Sequence, residues 1–153
     1  MKQIIQNFKT GELYVDEVPI PSISDKMVLV ENQCSLISAG TERGTVKVAK
    51  ANLLGKAKQR PDLVAQVLQN MKKEGLKATL DKVRTKLDSL KALGYSTAGV
   101  VKASLDSNGS FRPGDRVACA GQDIASHSDV VSIPQNLVFN IPDKVSLEEA
   151  SFT

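Results

Sequence analysis

The sequence predicts an α+β chain, mainly β with a helical segment inserted between strands, and three observations carry this expectation. The stretch from Gly94 to Gly121 reads as two strands joined by a polar connection and a tight turn. Between Arg43 and Leu93 the apolar spacing changes to that of helices. Charge divides at the same places: this middle holds 13 Lys and Arg against 4 Asp and Glu, and the remainder 7 against 13. A basic segment of +9 is thus set in an acidic frame of −6, within a net charge of +3.

The elements follow in order. Lys2 to Phe8 and Leu13 to Val18 are expected as two strands of an opening hairpin around Lys9-Thr10-Gly11. Pro19 and Pro21 end the second, because proline donates nothing to a ladder. Met27 to Val30 begins a third strand leading to Cys34, and the small, polar run from Cys34 to Arg43 is expected as a tight corner. Val46, Ala49, Leu53 and Leu54 would then share one helical face, on a helix starting near Gly44.

Pro61-Asp62 opens a second helix carrying Leu63, Val64, Val67, Leu68 and Met71 at helical spacing, with Gly75 as its stop. A third carries Leu76, Leu80, Val83, Leu87 and Leu90, with cations on its outer face.

Thr97 to Val101 is β-branched and apolar, and Gly99 within it marks a bulge or a close backbone approach. Asp106 to Gly109 forms a hairpin-type connection, Pro113-Gly114-Asp115 a tight turn, and Val117, Ala118 and Cys119 run inward. Strands are expected near Val130 to Ile133 and Leu137 to Asn140. Ser146-Leu147-Glu148-Glu149 has the capping-box pattern of a helix start.

Composition narrows the class. A chain of 153 residues fits one domain with a proper core. It has no run of eighteen apolar residues and no basic-then-apolar leader, so neither a membrane span nor a secretion signal is expected. Two cysteines far apart, Cys34 and Cys119, form neither a disulfide framework nor a zinc-ligand spacing, and a reducing cytoplasm is the expected home. Cys34 reads as a small strand-end residue rather than a displaced metal ligand.

The strand AGVV, a polar gap and then GDRVA resemble the GroES-like catalytic domain of medium-chain dehydrogenases, and the run from His127 to Phe152 is similar to that family's continuation. The resemblance covers roughly residues 1 to 42 and 94 to 153. It implies a GroES-like, partly open β-barrel, with residues 43–93 as a basic helical insertion. SAGTER with GY also resembles bacteriochlorophyllide dehydrogenases. Together with PDLV and KLD before LGYS, the whole chain resembles the dehydrogenase half of bi-domain oxidoreductases, in which this module is joined to a Gfo/Idh/MocA-type partner.

Zinc-binding members of the family hold their catalytic metal with a cysteine after the third strand and a histidine in a GHE motif. Those positions fall on Ser38, and on Tyr95 with Ser96 in place of the glutamate. Zinc takes thiolate, imidazole or carboxylate, so neither residue is an ordinary ligand and no zinc is expected. The separate structural zinc lobe would need four close cysteines, and only Cys119 lies in that region.

The resemblance therefore implies a zinc-independent NAD(P)-dependent oxidoreductase acting on a small molecule, a sugar or nucleotide-sugar by analogy with the bi-domain proteins. Thr41 matches the residue that relays the substrate proton and Glu42 the acid after it, allowing one inserted residue in SAGTE. Tyr95 would turn its phenol into the former metal cleft as the group that handles a proton or an oxyanion. Arg43 could reach a cofactor phosphate. Each has a plainer reading: Tyr95 as an aromatic core plug, Thr41 and Glu42 as a helix cap, Arg43 as a solvated cation, and the lone His127 as structural with cleft lining as the alternative.

No GxGxxG turn occurs, so the nucleotide-binding Rossmann half is expected outside this chain as its own missing partner domain. The sequence also stops inside the first turn of its last helix, as an excised portion of a longer enzyme would, and by itself it is expected to be inactive. The family allows a homo-oligomer. A second hypothesis makes the chain a non-catalytic module whose basic insert docks on an acidic partner or polymer. Nucleic acid is not expected, since the insert has no aromatic residue to stack a base.

Overall fold

The structure, a computed structural model, describes residues 1–51, 53–59 and 61–152. The side chains of Ala49, Leu53 and Leu87, expected on helical faces, lie outside the described residues. The elements are β1 (Lys2–Asn7), β2 (Leu13–Glu17), β3 (Met27–Ser35), α1 (Ala39–Lys50), α2 (Leu53–Gln59), α3 (Pro61–Glu74), α4 (Leu76–Leu87), β4 (Leu90–Ala92), β5 (Ser96–Ser104), β6 (Arg116–Ala120), β7 (Val130–Pro134), β8 (Val138–Asn140) and α5 (Leu147–Ala150). This is the α+β arrangement the sequence predicts.

Two compact units divide the chain. One comprises Met1–Ile5, Tyr14–Ser38 and Ala92–Thr153, the other Gln6–Leu13 and Ala39–Lys91. A five-stranded sheet of order β7-β3-β5-β6-β8 dominates the first, and a three-stranded sheet has the order β2-β1-β4. All four pairings of the larger sheet are antiparallel.

Alternation of small apolar residues builds the core of that sheet. Val28 and Val30 from β3, Val101 from β5, Val117 and Cys119 from β6, Val131 and Ile133 from β7, and Val138 from β8 meet on one face, with Ala125 closing it and Phe111 and Leu137 packed at its rim. The Gly99 backbone is central. Asn32 pairs with Gly99, and the register shifts between Asn32 and Cys34. A Cβ on Gly99 would lie 2.1 Å from the Glu31 carbonyl oxygen, so this is the close backbone approach expected of it.

Turn chemistry is realised as the sequence implies. Asn7 Oδ1 accepts from the Lys9 and Thr10 amides, and the Gly11 amide donates to the Asn7 carbonyl. At the second turn, Gly114 takes φ 96° and the Asp115 amide donates to Arg112 O at 3.0 Å. The Ser146 hydroxyl accepts from the Glu149 amide, and the Glu149 carboxylate accepts from the Ser146 amide, a complete capping box.

Four local expectations are corrected. The corner expected from Cys34 is still strand through Ser35, because Ser35 pairs with Thr97 and the Leu36 amide donates to Ser96 O at 3.0 Å. Helix α1 accordingly begins at Ala39 rather than near Gly44, with Glu42 in its first turn at the positive end of the dipole. Thr41 is therefore inside that turn and not a residue capping a helix at Gly44. The chain from Val46 to Leu54, expected on one helix, is divided between two, α1 and α2. Leu90, expected to continue the last helix, belongs to β4, after Asp88 closes α4 by donating its amide to the Arg84 carbonyl.

Candidate functional site

The strand ends that matter lie at one end of the β3–β5 ladder. Cys34 opposes Ala98, Ser35 opposes Thr97, and the Leu36 amide donates to Ser96 O. Ser38 follows two residues beyond that last rung on one side, and Tyr95 one residue beyond it on the other. Both are half-buried. The two positions that the sequence matched to metal ligands thus leave the same end of one ladder, although 57 residues separate them in the chain.

Tyr95 is held through its backbone on both flanks. Its carbonyl accepts from the Gly121 amide at 2.8 Å. The next residue, Ser96, is fully buried, and its hydroxyl donates to the Ser151 carbonyl at 2.7 Å, tying β5 to the end of α5. On the other flank Gly94 takes φ 107°, a region where a side chain is strained, and a Cβ there would lie 2.7 Å from the His127 amide nitrogen. The sequence marks Ser96 only as the residue in place of the motif's glutamate; nothing local in a strand serine points to a partner 55 residues away.

Thr41, Glu42 and Arg43 belong to the other unit, on the first turn of α1; Thr41 and Arg43 are exposed and Glu42 is half-buried. Cys34 and Cys119 are both free thiols. Burial pushes the Cys119 thiol up to about 12, and burial with the Glu148 carboxylate raises that of Cys34. Neither is a ready thiolate at neutral pH. Among the described residues no three His, Cys, Asp or Glu side chains cluster so as to hold a metal ion.

His127 is 7% exposed, and its Nδ1 lies 2.9 Å from Ser35 Oγ. The loop around it is sewn to two strands. The Ile4 amide donates to His127 O, the Asn32 side-chain amide donates to Ser128 O at 2.8 Å, and Gln3 Nε2 donates to Ser126 Oγ at 3.2 Å. A cavity of about 350 Å³ opens beside this loop, lined by Cys34, Ser35, His127 and Asp129 among others. The histidine is therefore both structural and cavity-lining. Its serine partner was also missed, because 92 residues separate the two.

No family model matches the sequence, and no curated protein is significantly similar to it. Solved structures are similar in fold. A probable oxidoreductase from Mycobacterium abscessus superposes with a TM-score of 0.64 at 19% identity, covering 99% of this chain and 38% of that one. Galactitol-1-phosphate dehydrogenase from Escherichia coli gives 0.63 at 16% identity, over 99% of this chain and 41% of that one. The quinone oxidoreductase from Thermus thermophilus, also solved in complex with NADPH, gives 0.58 at 16% identity, over 99% and 36%. These likenesses show a GroES-like fold.

This GroES-like chain thus spans about two fifths or less of the enzymes it superposes on. A dinucleotide cradle needs a parallel strand–helix–strand unit with a glycine-rich turn. The five-stranded sheet is antiparallel throughout and the sequence has no such turn, so this sheet is not a dinucleotide cradle of that kind. No helix among the described residues is long and apolar enough to cross a membrane.

Proposed function

We propose that this chain is the substrate-side portion of a zinc-independent NAD(P)-dependent oxidoreductase of the medium-chain type, with the nicotinamide cofactor bound by a Rossmann domain outside residues 1–153. The observation that carries the reading is that Ser38 and Tyr95 leave the same end of the β3–β5 ladder, where a metal-dependent relative would hold its cysteine and histidine. Hydroxyl and phenol oxygens are poor zinc ligands but competent hydrogen-bond donors. A carbonyl reduction needs a proton delivered and an oxyanion stabilised, and Tyr95 supplies an O–H for either task.

In the same reading Thr41 relays the proton, Glu42 sets the charge beside it, and Arg43 meets a cofactor phosphate. The substrate is a small polyhydroxylated molecule, a sugar or nucleotide-sugar, and the galactitol-1-phosphate dehydrogenase of similar fold lends that choice its support. Two free cysteines support a reducing, cytoplasmic setting.

Two measurements on the purified chain test this together. Elemental analysis after dialysis is expected to find less than about one zinc per ten chains, and calorimetric titration with NADPH is expected to give no binding in the micromolar range. Stoichiometric zinc would overturn the replacement of the metal by Ser38 and Tyr95. Micromolar NADPH affinity would overturn the assignment of the cofactor to another domain.

A further inference from the structure

The helical unit keeps an apolar flank that the described residues leave uncovered. Helix α3 has no fully buried residue. Its half-buried side carries Leu63, Val67 and Met71, whereas Val64 and Leu68, one position further round, are 38% and 55% exposed. Helix α4, which follows Gly75 directly and packs on α3, buries Thr79 and half-buries Val83. Its Leu76 and Leu80 are 58% and 56% exposed.

Helical spacing extends each row by one more turn to a cation. Val64 and Leu68 lead to Lys72, and Leu76 and Leu80 lead to Arg84, all at intervals of four. On each helix the exposed row lies one position round, in the same sense, from the more covered one: Val64 and Leu68 from Leu63 and Val67, Leu80 from Thr79. Lys72, Lys73, Lys77 and Arg84 beside these rows are exposed, against the acidic Glu74 and Asp81, in a segment that carries +9 overall. Apolar positions at that spacing with a charged border match the helix-in-groove mode of recognition.

Charge and composition choose among occupants. A two-fold dimer through this flank would set two strongly basic faces against each other, which disfavours a second copy. No aromatic residue lies between Arg43 and Leu93, so the rings that anchor interfacial helices in a membrane and that stack on bases are missing. An acidic helix with its own apolar stripe meets both demands, burying four aliphatic side chains and satisfying the cationic border.

We propose that the flank formed by Val64, Leu68, Leu76 and Leu80 docks an acidic amphipathic helix of a protein partner. The test uses the full chain and a synthetic helical peptide with leucine at one heptad face and glutamate elsewhere, labelled for fluorescence anisotropy. Binding is expected at low salt. It should weaken at least tenfold in Leu68→Ser/Leu80→Ser, and at least tenfold in the separate charge variant Lys72→Glu/Lys77→Glu. All four side chains are exposed, so circular dichroism should show both variants folded.

Equal affinity of the peptide for the parent and both variants would overturn the proposal, as would no binding at all. Two further measurements run in parallel. Co-sedimentation with phosphatidylserine-containing vesicles in the absence of peptide binding would assign the flank to a membrane instead. Concentration-dependent self-association lost in the leucine variant would assign it to a second copy.

Discussion

Replacing Gly99 with alanine tests the sheet where it is least forgiving. The added Cβ would be built 2.1 Å from the Glu31 carbonyl oxygen and 2.9 Å from Asn32 Cα. A carbon–oxygen contact needs about 3.3 Å, so β3 and β5 must separate by roughly 1 Å at the centre of the five-stranded sheet. Neither obstacle is a side-chain end that can swing aside; both are backbone atoms held in a paired ladder. Overpacking a well-filled core costs about 1–3 kcal/mol, and the rigidity of the obstacle places Gly99→Ala at the upper end, near 3 kcal/mol. With a urea m-value of about 2 kcal/mol/M, the midpoint should fall by roughly 1.5 M. Gly44→Ala is the control: it sits in α1 with open space around a new Cβ, and removing a helical glycine should stabilise by roughly 0.5–1 kcal/mol. Equilibrium urea unfolding followed by circular dichroism measures both. A loss below about 1 kcal/mol at Gly99 would refute the close approach of the two strands.

Two further outcomes follow from single side chains. Cys119 is a buried thiol raised from 9.0 to about 12, so its contribution is complete below pH 9.0 and is lost as the pH climbs towards 12. Half of that interval corresponds to about 2 kcal/mol. The stability difference between the parent and Cys119→Ala should therefore shrink by about 2 kcal/mol from pH 8 to pH 10.5 in urea titrations, and a difference independent of pH would contradict the burial of the thiol. At the other terminus, Ser146→Ala should cost α5 about 1 kcal/mol by removing the cap, read as faster amide exchange at Glu149 and Ala150. The Glu149 carboxylate is held below 4.5 by the Ser146 amide and hydroxyl, so its share of the capping box is present above that value and fades as the pH falls through the lower folded one. Amide exchange at Ser146 compared at pH 6 and pH 3 reads it.

A GroES-like frame can hold a strand end in place whatever residue stands there. Tyr95 is fixed by a glycine before it, by a buried serine after it and by a backbone hydrogen bond to the start of the loop after β6. Such support on both sides fixes the backbone from which the Tyr95 side chain leaves.

Local chemistry made much of this architecture readable in advance. Gly99 inside an apolar strand, Pro113-Gly114 at a turn, Pro61 at a helix start and Ser146 with Glu149 each act within a few residues, through steric limits or hydrogen bonds that a short segment contains in itself. The change of apolar period at the helical segment is of the same kind. The extension of β3 to Ser35 and the start of α1 at Ala39 were not readable, because Ser35 and Leu36 look like loop until the Thr97 and Ser96 backbones arrive to pair with them. The pairing of His127 with Ser35, the Ser96–Ser151 bond, and the shared exit of Ser38 and Tyr95 from one ladder were decided only by tertiary structure. They join groups 92, 55 and 57 residues apart, and the closure of such distances is bought by the sheet as a whole rather than by the residues that meet.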